Sequence, residues 1–159
     1  MEAMLSGSSV SLGYLCVKVR WSRDGRRLSY PNQIDLQLHV VDLETGVDVP
    51  LQFTSAAGWH AWSPNGDAIV YEQGRGGQRQ IEIIDLATGN ALDLVAPSQV
   101  GGCEAWAPDW APAGDRIAFT ACGRLYTINA DGSDLRMMAL SAYGVLWRGP
   151  SWEHSSGLP

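Results

Sequence analysis

Charge is scarce in this chain of 159 residues: 18% of them are Asp, Glu, Lys or Arg, and the 17 acidic ones outnumber the 11 basic ones. A net charge of −6 without a basic stripe argues against general affinity for nucleic acid or an anionic membrane surface. Long apolar runs are missing, so no segment reads as a bilayer span. The residues before Tyr14 carry neither a basic n-region nor an apolar h-region, and so do not read as a signal peptide. His39, His60 and His154 stand far apart, with no His-x-x-x-His or Cys-x-x-Cys pair of the kind that holds zinc. No Gly-x-Ser-x-Gly turn offers a hydrolase nucleophile, and no dense Asp-x-Asp-x-Asp spacing offers a calcium loop. The sequence therefore nominates no catalytic residue, no metal and no cofactor.

What the chain has instead is repetition. Trp21-Ser22-Arg23-Asp24-Gly25 is echoed by Trp62-Ser63-Pro64-Asn65-Gly66 and by Trp110-Ala111-Pro112-Ala113-Gly114. A second landmark follows each: Asp42-Leu43-Glu44-Thr45-Gly46, Asp85-Leu86-Ala87-Thr88-Gly89, and Asn129-Ala130-Asp131-Gly132-Ser133. The tryptophans are 41 and 48 residues apart, and the second landmarks 43 and 44. Periods of this length suit the four-stranded blade of a β-propeller, although some helical repeats share them.

Local pattern separates the two architectures. Arg27 to Tyr30, Ala68 to Tyr71 and Arg116 to Phe119 are short, rich in β-branched or alternating residues, and end in an aromatic ring. Each follows a turn in which Gly tolerates positive φ and, in two copies, Pro presets φ, so each landmark is predicted to be a hairpin. Third strands are expected near Leu36 to Val41, Gln80 to Ile84 and Arg124 to Ile128, and fourth strands near Val49 to Phe53, Ala91 to Val95 and Arg136 to Leu140. Asp24, Asp42, Asp85 and Asp131 recur with the turns, where bonding to nearby backbone is their expected role. No window sustains a helical apolar period.

These residues resemble the WD40-like repeat of TolB-type β-propellers, in which a Trp-Ser-Pro-Asp-Gly turn precedes an Ile-Ala-Phe strand. Leu125-Tyr126-Thr127-Ile128 leading into Asn129 to Ser133 resembles that family's next strand and turn. The likeness spans roughly Leu15 to Trp152, with departures at Arg23 and Ala113. It implies an all-β fold of four-stranded antiparallel blades, about three of them plus the first strand of a fourth, in an open arc or half ring. The expected organisation is a flexible segment 1–13, blades at about 14–54, 55–96 and 97–141, the start of a fourth at 142–152, and a tail 153–159. Because propellers close with more blades than this, the chain is either part of a longer protein, one half of a paired ring, or an arc whose ends a partner covers.

Of the cysteines, Cys16 reads as a lone core thiol, while Cys103 and Cys122 flank one hairpin. A register pairing Asp109 with Arg116 also sets Cys103 opposite Cys122, which allows a disulfide and an oxidising compartment; the alternative is two buried thiols. Trp21, Trp62, Trp110 and Trp152 hold the repeat position and are expected to pack between blades. Trp59, Trp106 and Trp147 precede them by unequal intervals, near the start of each innermost strand, and are candidates for a binding rim. His60 beside Trp59, and Glu104 one blade on, could add polar groups there. Gly74-Arg75-Gly76-Gly77-Gln78-Arg79 reads as a flexible loop, with Arg75 and Arg79 as lesser candidates for contact with an anion or partner.

Two functional classes fit. One is a non-catalytic interaction or scaffold module whose partner is a protein or a cell-envelope component, with a homodimer as one way of completing a ring. The other is the propeller portion of an enzyme, resembling the gating domain of prolyl-oligopeptidase-type peptidases or a propeller polysaccharide lyase. The family resemblance favours a periplasmic or extracellular location.

Overall fold

The computed structural model describes residues 18–52, 54 and 58–139, and these form three four-stranded antiparallel sheets. The first comprises β1 (Arg20–Trp21), β2 (Arg27–Pro31), β3 (Leu38–Asp42) and β4 (Asp48–Leu51). The second holds β5 (His60–Trp62), β6 (Ala68–Arg75), β7 (Gln78–Asp85) and β8 (Ala91–Val95), and the third β9 (Ala105–Trp110), β10 (Arg116–Ala121), β11 (Arg124–Asn129) and β12 (Arg136–Ala139). Strands are ordered as in the sequence within every sheet, so each is a meander of local hairpins. A short 3-10 turn, Pro97–Val100, links the second sheet to the third. The segments expected at 1–13, 142–152 and 153–159 lie outside the described residues, as do Cys16, Phe53, Trp147 and Trp152.

The recurring turns explain the recurring sheets. Ser22 accepts the Arg27 N–H at 2.9 Å and donates to Asp24 at 2.6 Å; Ser63 accepts the Ala68 N–H at 2.9 Å and donates to Asp67 at 3.0 Å. Gly25, Gly66 and Gly114 close these turns at positive φ. At the second landmark Asp42 accepts from Thr45 N–H and hydroxyl, and Asp85 does the same with Thr88. These bonds hold both aspartates below the usual carboxylate range.

Alternation then divides each sheet into two faces. In the second blade Ile69 and Tyr71 join Trp62 and Ile84 against Leu38 of the first blade. Val70, Ala61, Ile81 and Ile83 form the opposite face, packed with Trp110, Ile117, Phe119, Tyr126 and Ile128 of the third. We call the face toward the following blade trailing and the other leading. Trp62 and Trp110, each on a leading face, are 8% exposed, whereas Trp21, on the leading face of the first blade, is 62% exposed.

Three expectations need correction. Leu36 sits in a turn at φ 59° and the third strand starts at Leu38. The Gly74 to Arg79 stretch is not a loop: β6 and β7 run on to Arg75 and Gln78, leaving only Gly76 and Gly77, both at positive φ, as the turn. A two-residue turn of that kind matches the twist of its strands. Finally, Asp109 pairs with Ala118 rather than Arg116, and a bulge shifts the register before Trp106 meets Thr120. Ala107 adopts φ 52° there.

Candidate functional site

The starts of β5 and β9 and the far half of the β6–β7 hairpin share one end of the molecule, the rim. At its centre is Glu72, whose side chain is 1% exposed. One carboxylate oxygen accepts the backbone N–H of Ala107 at 2.7 Å, and the other accepts from Arg79 Nη1 at 2.9 Å. The bulge thus serves a purpose: the left-handed turn at Ala107 accompanies an N–H delivered from the third blade to a buried acid of the second. Burial pushes Glu72 up to about 7, against the pull of that N–H and of Arg79.

Two cation-capped rings flank this acid. The Arg79 guanidinium lies 4.4 Å from the ring centre of Trp106, and Lys18 Nζ lies 3.1 Å from that of Trp59. Trp106 is 36% exposed, and the Trp59 carbonyl accepts the Glu72 N–H at 3.0 Å. Trp59, Glu72, Arg79 and Trp106 are therefore one connected cluster spanning two blades. Glu104 is half-buried, and its charge adds to the upward pressure on Glu72.

Arg75 and His60 stand apart from it. Arg75 pairs with the buried Glu82 at 3.1 Å and lies 3.7 Å from Asp93, while Tyr71 donates to the other Glu82 oxygen at 2.7 Å. Burial and that hydrogen bond raise Tyr71 far above its ordinary range. His60 is wholly buried between the first and second blades, its Nε2 2.9 Å from Ser29 Oγ, so it is not presented at the rim surface. Burial, with Arg20 and Lys18 nearby, lowers it to about 3 and keeps the ring neutral. His60 opens β5 with its side chain buried against Ser29, while Trp59, just before the strand, is capped by Lys18.

Cys103 and Cys122 are joined as a disulfide with Cα atoms 5.6 Å apart. They lie just beyond the paired residues of β9 and β10, where the Ala105–Ala121 register leaves them one residue out of step, and Cys122 turns at φ 52°. Glu72 escaped the sequence reading altogether. Its one signal is an acid directly after the aromatic that ends the second-strand motif, where the first and third copies have Pro31 and Thr120.

Sheets of four strands in sequence order, stacked face to face with their first strands innermost, define a β-propeller array, here of three blades. The fold is that of TolB-like propellers. It is similar to the structure of a putative TolB from Agrobacterium tumefaciens, with TM-score 0.68 and 22% identity over 77% of this chain and 45% of that one. It is also similar to TolB from Acinetobacter baumannii, with TM-score 0.64 and 18% identity over 75% of this chain and 31% of that one. A prolyl endopeptidase structure matches with TM-score 0.60 and 18% identity, over 75% of this chain and 21% of that one. The chain thus spans less than half the length of these proteins. No family model and no curated protein sequence matches it.

Proposed function

We propose that this chain is a non-catalytic interaction module of the TolB-like propeller type, forming part of a larger ring and meeting a protein partner or cell-envelope component at its rim. The observation that carries the reading is the Trp59–Glu72–Arg79–Trp106 cluster, in which a buried acid holds an arginine over a partly exposed indole. Aromatic rings and arginines fixed in this way are the residue types that dominate protein interfaces. The exposed Trp21, whose counterparts are covered by a neighbouring blade, supports a larger ring. Either more of the same chain or a second copy would supply it. A periplasmic or extracellular setting fits the joined cysteines.

The second reading, the propeller portion of an enzyme, is favoured by the likeness to the prolyl endopeptidase structure. A Ser-Asp-His hydrolase domain encoded next to these blades would establish it and displace the first. For the first, a photo-crosslinking residue at position 106 should capture a defined protein partner in cell-envelope extract, and the same residue at Met138, on the outer edge, should not. Equal labelling from both positions would remove the rim from consideration.

A further inference from the structure

Only part of the rim arginine is used within the molecule. Arg79 Nη1 donates to the buried Glu72 carboxylate at 2.9 Å, and the guanidinium carbon lies 4.4 Å from the ring centre of Trp106. Its Nε and Nη2 bond to no described residue, yet neither is sealed from solvent, and the side chain as a whole is 40% exposed. Arg75, on the same hairpin, differs, because its charge is shared between the buried Glu82 and the exposed Asp93. Arg79 is therefore fixed by an acid at one nitrogen and a ring beside it, with two donors left in water.

That arrangement selects for an acceptor. The Nε and Nη2 donors of one guanidinium form a fork that matches the two oxygens of a carboxylate or a phosphate. Fixing the side chain beforehand removes much of the ordering cost that a free arginine meets on binding. Charge decides between the two anions: Glu72 contacts Arg79 directly and the charge of Glu104 reaches Glu72, so a dianion is repelled about twice as strongly as a monoanion. Trp106, 36% exposed, offers apolar surface beside the fork. A peptide brings apolar side chains next to its carboxylate, which a uronic acid, hydroxylated around its ring, does not. Resting on the interaction-module reading, we propose that the rim binds an acidic side chain of a protein partner, its carboxylate accepting from Arg79 Nε and Nη2 while an apolar neighbour in the partner lies on Trp106. A chain of net charge −6 repels acidic segments over most of its surface, so this fork fixes where such a segment docks.

The test is NMR titration of the full chain with N-acetyl-leucyl-glutamyl-leucinamide, with its glutaminyl analogue and with methyl glucuronide. The indole N–H signal of Trp106, identified by its loss in Trp106→Phe, is followed throughout. A saturable shift is expected with the glutamyl peptide at up to about 10 mM, and none with the glutaminyl one. Arg79→Lys keeps a cation for Glu72 but loses the fork, and should weaken binding about tenfold. Arg26→Gln, in the first repeat turn at the end opposite the rim, should change nothing. The proposal is overturned if the glutamyl peptide does not bind, if both peptides bind equally, or if Arg79→Lys retains wild-type affinity. Tighter binding of methyl glucuronide than of the glutamyl peptide overturns it in favour of an acidic saccharide. Crosslinking from position 106 keeps the two claims apart. Capture undiminished by Arg79→Lys overturns the carboxylate contact and leaves the rim as an interface, whereas peptide binding without any captured partner upholds the contact and removes the interaction-module reading.

Discussion

On the trailing face of the first blade β2 presents Arg27 and Ser29; at the same places in the second blade β6 presents Ala68 and Val70. That exchange of two polar side chains for two apolar ones changes how the next blade is held. Between the first and second blades the apolar cluster is small, and polar contacts complete it: Arg27 donates to the Gly66 carbonyl at 2.5 Å and lies 5.0 Å from the Trp62 ring centre, while Ser29 meets His60. Between the second and third, a larger cluster that includes Phe119 stacked on Tyr126 at 5.4 Å carries the contact, and the Glu72 bond to Ala107 closes its edge. One repeat motif therefore supports two kinds of interface, because the motif fixes the turns and leaves the facing residues open.

The apolar interface should be the more sensitive to truncation. Phe119→Ala is expected to cost about 4 kcal/mol in urea unfolding, the sum of lost burial and an unfilled cavity. A loss below 1 kcal/mol would mean that the third blade does not depend on that contact.

The two interfaces should also answer pH in opposite directions. His60 is lowered from 6.5 to about 3, so its neutral burial contributes stability above pH 6.5 that is lost as pH falls toward 3. Glu72 is raised from 4.5 to about 7, so its contribution is complete below pH 4.5 and is lost as pH rises through 7. In urea titrations across pH, His60→Gln should flatten the decline between pH 7 and 4 by about 3 kcal/mol. Glu72→Gln should flatten the decline between pH 5 and 8 by about 2 kcal/mol. Parallel profiles for wild type and either variant would contradict the corresponding assignment.

The smallest effect is expected from the polar stitching itself. Arg27→Ala removes one hydrogen bond and one ring contact, about 1 kcal/mol together. A cost as large as that of Phe119→Ala would erase the distinction between the interfaces.

The repeat was readable because turns depend on local chemistry: Asp42 and Asp85 make the same bonds to Thr45 and Thr88 that their spacing suggested. The blades follow from those turns. The rim was only half readable. Trp59 and Trp106 stand out in the sequence by their offset from the repeat, but Glu72 joins their cluster through a backbone N–H 35 residues away, delivered by a bulge that no residue type announces. The Asp109 register failed because the turn closed by the Ala111 N–H to the Arg116 carbonyl is longer than the expected pairing allows. His60 is buried rather than at the rim surface because its place at the start of β5 turns it toward Ser29 of the first blade, and that contact depends on how the blades stack.

The link between Cys103 and Cys122 spans 19 residues, all within the third blade. Its chain-entropy effect, about 3 kcal/mol for a loop of that size, falls on the unfolded ensemble of one blade and contributes nothing to the joining of two. Since every strand pairing among the described residues is also between sequence neighbours, each sheet can be completed from short-range contacts before it meets another. Docking then becomes the late, reversible event, and under load the array should part at a seam between blades while the cross-linked sheet stays whole.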